Sequence, residues 1–166
     1  MALERNAGRI PVVLLGQLVA TVFMTGVIWY VQLVHYPLMS GWPHDDFPQW
    51  EAAHREQTGL VVVPAMLAEG LAAVLILAHR PAGVPMWLAA GGAIGLLAIW
   101  GSTFAIQVPL HDQLATGWDA AAHARLVGTN WLRTVFWSLR VLVALGMLGY
   151  WSGSAKTPLA TADSAS

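Results

Sequence analysis

Residues 10–34 read IPVVLLGQLVATVFMTGVIWYVQLV, 25 positions without one charged side chain. The run shows no alternation of apolar and polar residues, and about 20 apolar residues suffice to cross the hydrocarbon core as a helix. Three more runs follow. Residues 59–78 are broken only by Glu69, residues 86–110 hold no charge, and residues 131–151 carry Arg133 and Arg140. Barrel strands need only about 10 residues each, and they alternate. The reading is therefore all-α: an integral membrane four-helix bundle in one domain, 1–151, with spans at about 10–34, 59–78, 86–110 and 131–151.

Composition agrees. Apolar residues make up 57% of the 166 positions and charged residues 10%, against roughly 25% charged in a soluble domain, so a water-soluble globule is excluded. A formal net charge of −1 leaves no basic field for nucleic acid. With no cysteine, disulfides, thiolate metal sites and cysteine nucleophiles are excluded too. Nine Trp suit bilayer interfaces. The first run is much longer than a signal-peptide core of about 7–15 residues, so it is read as a retained span. Residues 152–166 are small and polar and are expected to form a disordered cytoplasmic tail.

Orientation follows from Lys and Arg in the short flanks. With the N-terminus inside, Arg5, Arg9, Arg80 and Lys156 are cytoplasmic against Arg55 and Arg125 outside. Both termini are then cytoplasmic, and connections 35–58 and 111–130 lie on the extracytoplasmic side.

Those two connections resemble one another. The first runs Gln32, His35, Gly41-Trp42, Ala52-Ala53-His54 and Gly59; the second runs Gln107, His111, Gly117-Trp118, Ala121-Ala122-His123 and Gly128. The pattern reads as a duplicated helical hairpin related by an axis along the membrane normal. It would bring His35, His54, His111 and His123 around one axis at the extracytoplasmic mouth. Imidazole suits iron, copper, zinc and haem iron, so these four histidines are the candidate metal ligands, with Glu51, Glu56 and Asp112 nearby as further ligands or orienting groups. Asp46, Pro48 and the residues to His54, and again Trp118 to Arg125, read as short amphipathic surface helices capping that mouth. Pro37 and Pro109 are expected to end the first and third spans, and Pro64 to kink the second.

Charged groups within spans cost on the order of 2.5–3.5 kcal/mol and face the bundle interior. Glu69 and Arg140 sit at about the same depth, roughly 14–15 Å in at 1.5 Å per residue. They are expected to pair, either as a lock between helices or as a catalytic or proton-handling pair. Asn130, Arg133, Trp137 and Arg140 form one helical stripe that must line the interior. Glu69 can neutralise only one of the two Arg, which leaves Arg133 to meet a carboxylate or an anionic ligand. Asn130, Trp137 and Trp100 are the candidate cofactor-binding groups, and Glu69, Arg133 and Arg140 the candidate catalytic ones.

The segments His35-Tyr36-Pro37-Leu38, Pro109-Leu110-His111 and Asn130-Trp131-Leu132-Arg133-Thr134, in this four-span layout, resemble the anthrone-oxygenase-like family of small membrane proteins. The resemblance implies oxygenation of polycyclic aromatic substrates in a few members. Three functions follow as expectations. The first is a membrane-embedded metal- or haem-binding oxidoreductase or oxygenase acting on a lipophilic small molecule; the others are a carrier or permease gated at Glu69–Arg140, and a structural membrane subunit. The partners are the lipid bilayer and the lipophilic molecule, and the layout leaves room for a homo-oligomer.

Overall fold

The apolar runs become helices that are longer than the runs themselves. The computed structural model describes residues 10–155, and every element among them is helical. Helix α1 (Val12–Tyr30) passes through a π-helical turn (Val31–His35) into α2 (Tyr36–Met39). Helix α3 spans Phe47–Ala78. Helix α4 (Met86–Ser102) passes through a second π turn (Thr103–Gln107) into α5 (Val108–Leu114), and α6 spans Ala120–Ala155. Four continuous stretches, Val12–Met39, Phe47–Ala78, Met86–Leu114 and Ala120–Ser154, are long and apolar enough to cross a membrane, as a multi-pass membrane protein requires.

Three expectations need correction. Pro37 and Pro109 do not end their helices. A proline lacks the N–H for an i→i−4 bond and its ring crowds the carbonyl four residues back. A π turn, with one residue more than an α turn, lies just ahead of each proline and carries the helix past it. Both prolines stay exposed. The separate surface helices are also absent among the described residues: the amphipathic stretches are the first turns of α3 and α6. Asp46 stands at the N-cap position of α3 without a side-chain cap. Its backbone carbonyl accepts the N–H groups of Gln49 and Trp50, and Pro48 lies in the first turn. Asp119 accepts the backbone N–H groups of Ala121 and Ala122 at 2.8 and 3.0 Å. Those bonds, with the Gln113 amide, hold its carboxyl below the usual Asp range. Finally, α6 continues past Trp151 to Ala155. The rest of the expected tail, like Arg5, Arg9 and Lys156, lies outside the described residues.

Helix α1 packs on α3 and α6, α4 packs on α6, and α3 packs on α4. Gly92 and Gly95 let α4 approach α6 closely, because a Cβ there would meet Met147 and Arg140 at 3.2–3.3 Å. The outward surface is aliphatic, with Leu60, Leu97 and Leu142 all well exposed. Gln17, Gln32, Glu69, Asn130, Arg133 and Arg140 are buried. That inversion of the soluble pattern fits a lipid solvent. One apolar cluster (Met24, Ile28, Phe47, Leu114, Leu126, Trp137) fills the half that carries the histidines, and a second (Leu14, Ile76, Val84, Leu88, Ala89, Met147) fills the opposite end.

Candidate functional site

An added residue in a helical turn rotates everything beyond it by about 100°. Past the first π turn, Tyr36 is buried against the interior, and past the second His111 is turned inward with 12% of its side chain exposed. Helix α3 brings Glu51 and His54, three residues apart and so on one face, to the same level.

The resulting contacts form a chain. Glu51 Oε1 lies 2.5 Å from His111 Nδ1, and His111 Nε2 lies 3.0 Å from the Tyr36 hydroxyl. An ionised carboxylate can only accept, so Nδ1 carries the imidazole proton and Nε2 accepts from Tyr36 O–H. Beyond Tyr36 lies the Arg133 guanidinium. Beside this chain, His35 Nε2 is 2.8 Å from His54 Nδ1, which also meets Thr58 Oγ1 at 3.0 Å. The His54 and His111 rings are 5.3 Å apart between centroids. Glu51 is fully buried, and its Oε2 has no hydrogen-bond partner.

Below these groups lies a cavity of about 240 Å³. Tyr36, His54, His111 and Arg133 supply its polar head, with Thr103 and Gln107 at its side, and Met24, Ile28, Val31, Val62, Met66 and Trp137 its apolar walls. Asn130 does not line it. Its amide donates to Gln32 at 2.8 Å and its carbonyl accepts Arg133 Nε at 2.9 Å, so it aims the guanidinium. Arg133 also donates to Thr103 Oγ1 at 3.3 Å and lies over Trp137, 5.9 Å from the ring centroid. Among the described residues it has no carboxylate in salt-bridge range.

Glu69 and Arg140 form a separate layer deeper in. The carboxylate accepts Thr21 Oγ1 at 2.7 Å, Trp137 Nε1 at 2.9 Å and Arg140 Nη2 at 3.0 Å. Arg140 also donates to the Gly92 carbonyl. Neither residue lines the cavity, so their geometry is that of a tie between α3, α6, α1 and α4. Trp100 also stands off the cavity, packed against Gly70.

The four expected histidines do not share one centre. His35, His54 and His111 come together, whereas His123 Nε2 bonds the Tyr36 carbonyl at 2.7 Å and its ring lies against Trp118. His123 therefore supports the turn that carries Tyr36. Among the described residues no group of three or more His, Asp or Glu side chains is disposed to hold a metal ion. The partners that join His111 are instead Glu51 and Tyr36. Glu51 was visible as a residue three before His54 on one helix face. Tyr36 and Gln107 stood in the sequence only as part of the His35-Tyr36-Pro37-Leu38 segment and of the repeat, without a chemical role, and the cavity-lining Thr58 and Thr103 carried no signal that marks a site. At the same end of the helices, Arg55 and Asp112 form an exposed ion pair at 2.6 Å that joins α3 to α5.

No family model, no curated protein and no solved structure matches this chain.

Proposed function

We propose that this chain is a membrane-embedded oxidoreductase of the oxygenase kind, acting on a lipophilic substrate in the 240 Å³ cavity by drawing a proton into the Tyr36–His111–Glu51 relay. The supporting observation is the relay itself, ending at the polar head of an apolar cavity. Tyr36 can pass its proton to His111 Nε2 while Glu51 stabilises the imidazolium at Nδ1 and Arg133 stabilises the phenolate. Tyr36 then takes a proton from an acidic O–H or C–H of the substrate. The carbanion or enolate so formed passes one electron to dioxygen, the co-reactant, and the substrate radical and superoxide join in a C–O bond. The peroxide anion takes back the proton held on His111, and the hydroperoxide loses water to leave a carbonyl. The resemblance of the three short segments to the anthrone-oxygenase-like family points the same way.

In this reading both termini are cytoplasmic and the relay sits at the extracytoplasmic end. The same reading takes the chain as a duplicated hairpin, supported by the π turns that each begin six residues before a proline, 31 before 37 and 103 before 109. Glu69 and Arg140 act as a lock. The apolar packing of Leu14, Ile76, Val84, Leu88, Ala89 and Met147 below them weighs against a carrier.

A metal-dependent version rests on one observation: His35 Nε2 and His54 Nδ1 are 2.8 Å apart. Two nitrogens bound tetrahedrally at about 2.0–2.1 Å stand roughly 3.3 Å apart, so an ion would have to replace this hydrogen bond and part the two rings by about half an ångström. Elemental analysis separates the versions. Stoichiometric iron, copper or zinc, with a Soret band for haem, that disappears in His35→Ala would favour it.

The test of the main reading is oxygen consumption by the full chain in lipid nanodiscs with a panel of lipophilic phenols and anthrone-like polycycles. The wild type is expected to consume oxygen with at least one of them. His111→Ala is expected to lower the rate about 10²–10⁴-fold. A folded wild type that is inert across the panel, or a His111→Ala variant of undiminished rate, overturns it.

A further inference from the structure

The cavity has one weak side. Its buried lining residues include Met24, Ile28 and Val31 on the first span and Arg133 and Trp137 on α6. Its exposed lining residues all lie on α3 or on the Thr103–Leu114 segment: Arg55, Val63, Phe104 and Val108. Arg55 is tied across to Asp112 at the aqueous rim. Val63 and Phe104, 53% and 63% exposed, stand further along the apolar part of the helices, where the surroundings are lipid. The way in from water is bridged, and the way in from the bilayer is open between α3 and the Thr103–Leu114 segment.

The charges at the head decide what can enter. Glu51 carries one negative charge and Arg133 one positive charge, and His111 and Tyr36 link them. With Glu51 ionised, Arg133 protonated and His111 and Tyr36 uncharged, the relay sums to zero before anything binds. A permanently anionic head would leave a buried net charge, which is disfavoured in low dielectric. A neutral head that can donate or accept at oxygen adds no such burden. Met24, Met66 and Trp137 on the walls suit a flat ring, because sulfur and indole both pack favourably on aromatic rings. The volume is small. A cavity of about 150 Å³ admits a benzene ring, so this one takes a substituted ring and has little space left for a chain.

We propose that the ligand is a single-tailed amphiphile of the bilayer whose neutral ring bears a phenolic or carbonyl oxygen, and that it enters sideways between α3 and the Thr103–Leu114 segment, leaving its tail in the lipid. The proposal rests on the cavity being the substrate site, as in the function proposed above, and names the substrate class and its route.

The test uses the full chain in phosphatidylcholine nanodiscs and fluorine NMR. Three probes are compared: 4-dodecyl-2-fluorophenol, a fluorinated dodecanoic acid, and tail-less 2-fluorophenol. The dodecyl phenol is expected to give a saturable bound resonance and the carboxylate to bind at least tenfold more weakly. Val63→Trp, at the lateral opening, is expected to weaken the dodecyl phenol at least tenfold and the tail-less phenol by a clearly smaller factor. Phe104→Trp, on the other wall of the opening, repeats the comparison and decides the matter if the Val63 variant does not fold. Equal binding of the carboxylate overturns the neutral head. Undiminished binding in both variants overturns the lateral route. Saturable binding with no oxygen consumption leaves this proposal standing and removes the oxygenase reading. Oxygen consumption on polycycles with no binding of any of these probes does the reverse.

Discussion

His111 is engaged at both ring nitrogens, so its orientation and tautomer are fixed by its neighbours. Glu51 at Nδ1 and Tyr36 at Nε2 leave the ring one way to accept a proton and one group to stabilise it afterwards. Replacing Glu51 by Gln keeps a group able to accept the Nδ1 hydrogen bond but removes the charge that stabilises the imidazolium. The expected result is a fall in kcat of about 10–100-fold, the loss typical of an orienting partner, with KM little changed. An equal loss in KM would instead mark Glu51 as a cavity-shaping residue. The individual residues were only partly legible in the sequence. Arg133 was recognisable because an unpaired guanidinium in an apolar run must face inward, and the structure buries it without a carboxylate. Tyr36 was not, because an aromatic residue at the end of an apolar run has an ordinary place at a bilayer interface, and its hydroxyl gains a role only once His111 is opposite it.

At the level of helices, the stripe Asn130, Arg133, Trp137 and Arg140 came through intact: all four are buried. Periodicity sets the face of a regular helix, so it can be read directly. It fails where the helix is irregular. The π turns were hidden because proline signals a helix end, and nothing in the local sequence says whether an added residue will carry the helix past it. His35 and His111 were consequently foreseen in the connections just beyond the first and third spans, when they belong to continuous helices. The tie between α3 and α6 at Glu69 and Arg140 makes a separate prediction. Either Glu69→Gln or Arg140→Gln alone leaves a buried charge without its partner and should cost on the order of 3 kcal/mol. The double variant should recover part of that loss, measured as a double-mutant cycle of thermal or denaturant unfolding in detergent. Additive losses would mean that the two residues do not act as a pair.

For the molecule as a whole, four charge-poor runs predict four membrane-length helices because the bilayer thickness fixes a length that sequence can count. How those helices rotate about one another cannot be counted in that way. His123, foreseen beside the other three histidines, sits under the Tyr36 turn instead. The absence of cysteine allows orientation to be measured without background labelling. In intact cells, Ser40→Cys, at the histidine-bearing end, should react with a membrane-impermeant maleimide. Ala82→Cys, in the turn between α3 and α4, should react only after the membrane is permeabilised. The reverse pattern would put the relay on the cytoplasmic side.

The apolar cluster of Leu14, Ile76, Val84, Leu88, Ala89 and Met147 closes the far end of the helices. In the function proposed above, every proton that the relay takes up or gives back passes through the same face of the membrane, and a turnover moves no net charge across the bilayer. Catalysis in proteoliposomes should proceed at one rate whatever voltage is clamped across them, so the protein would be electrically silent despite its buried charges.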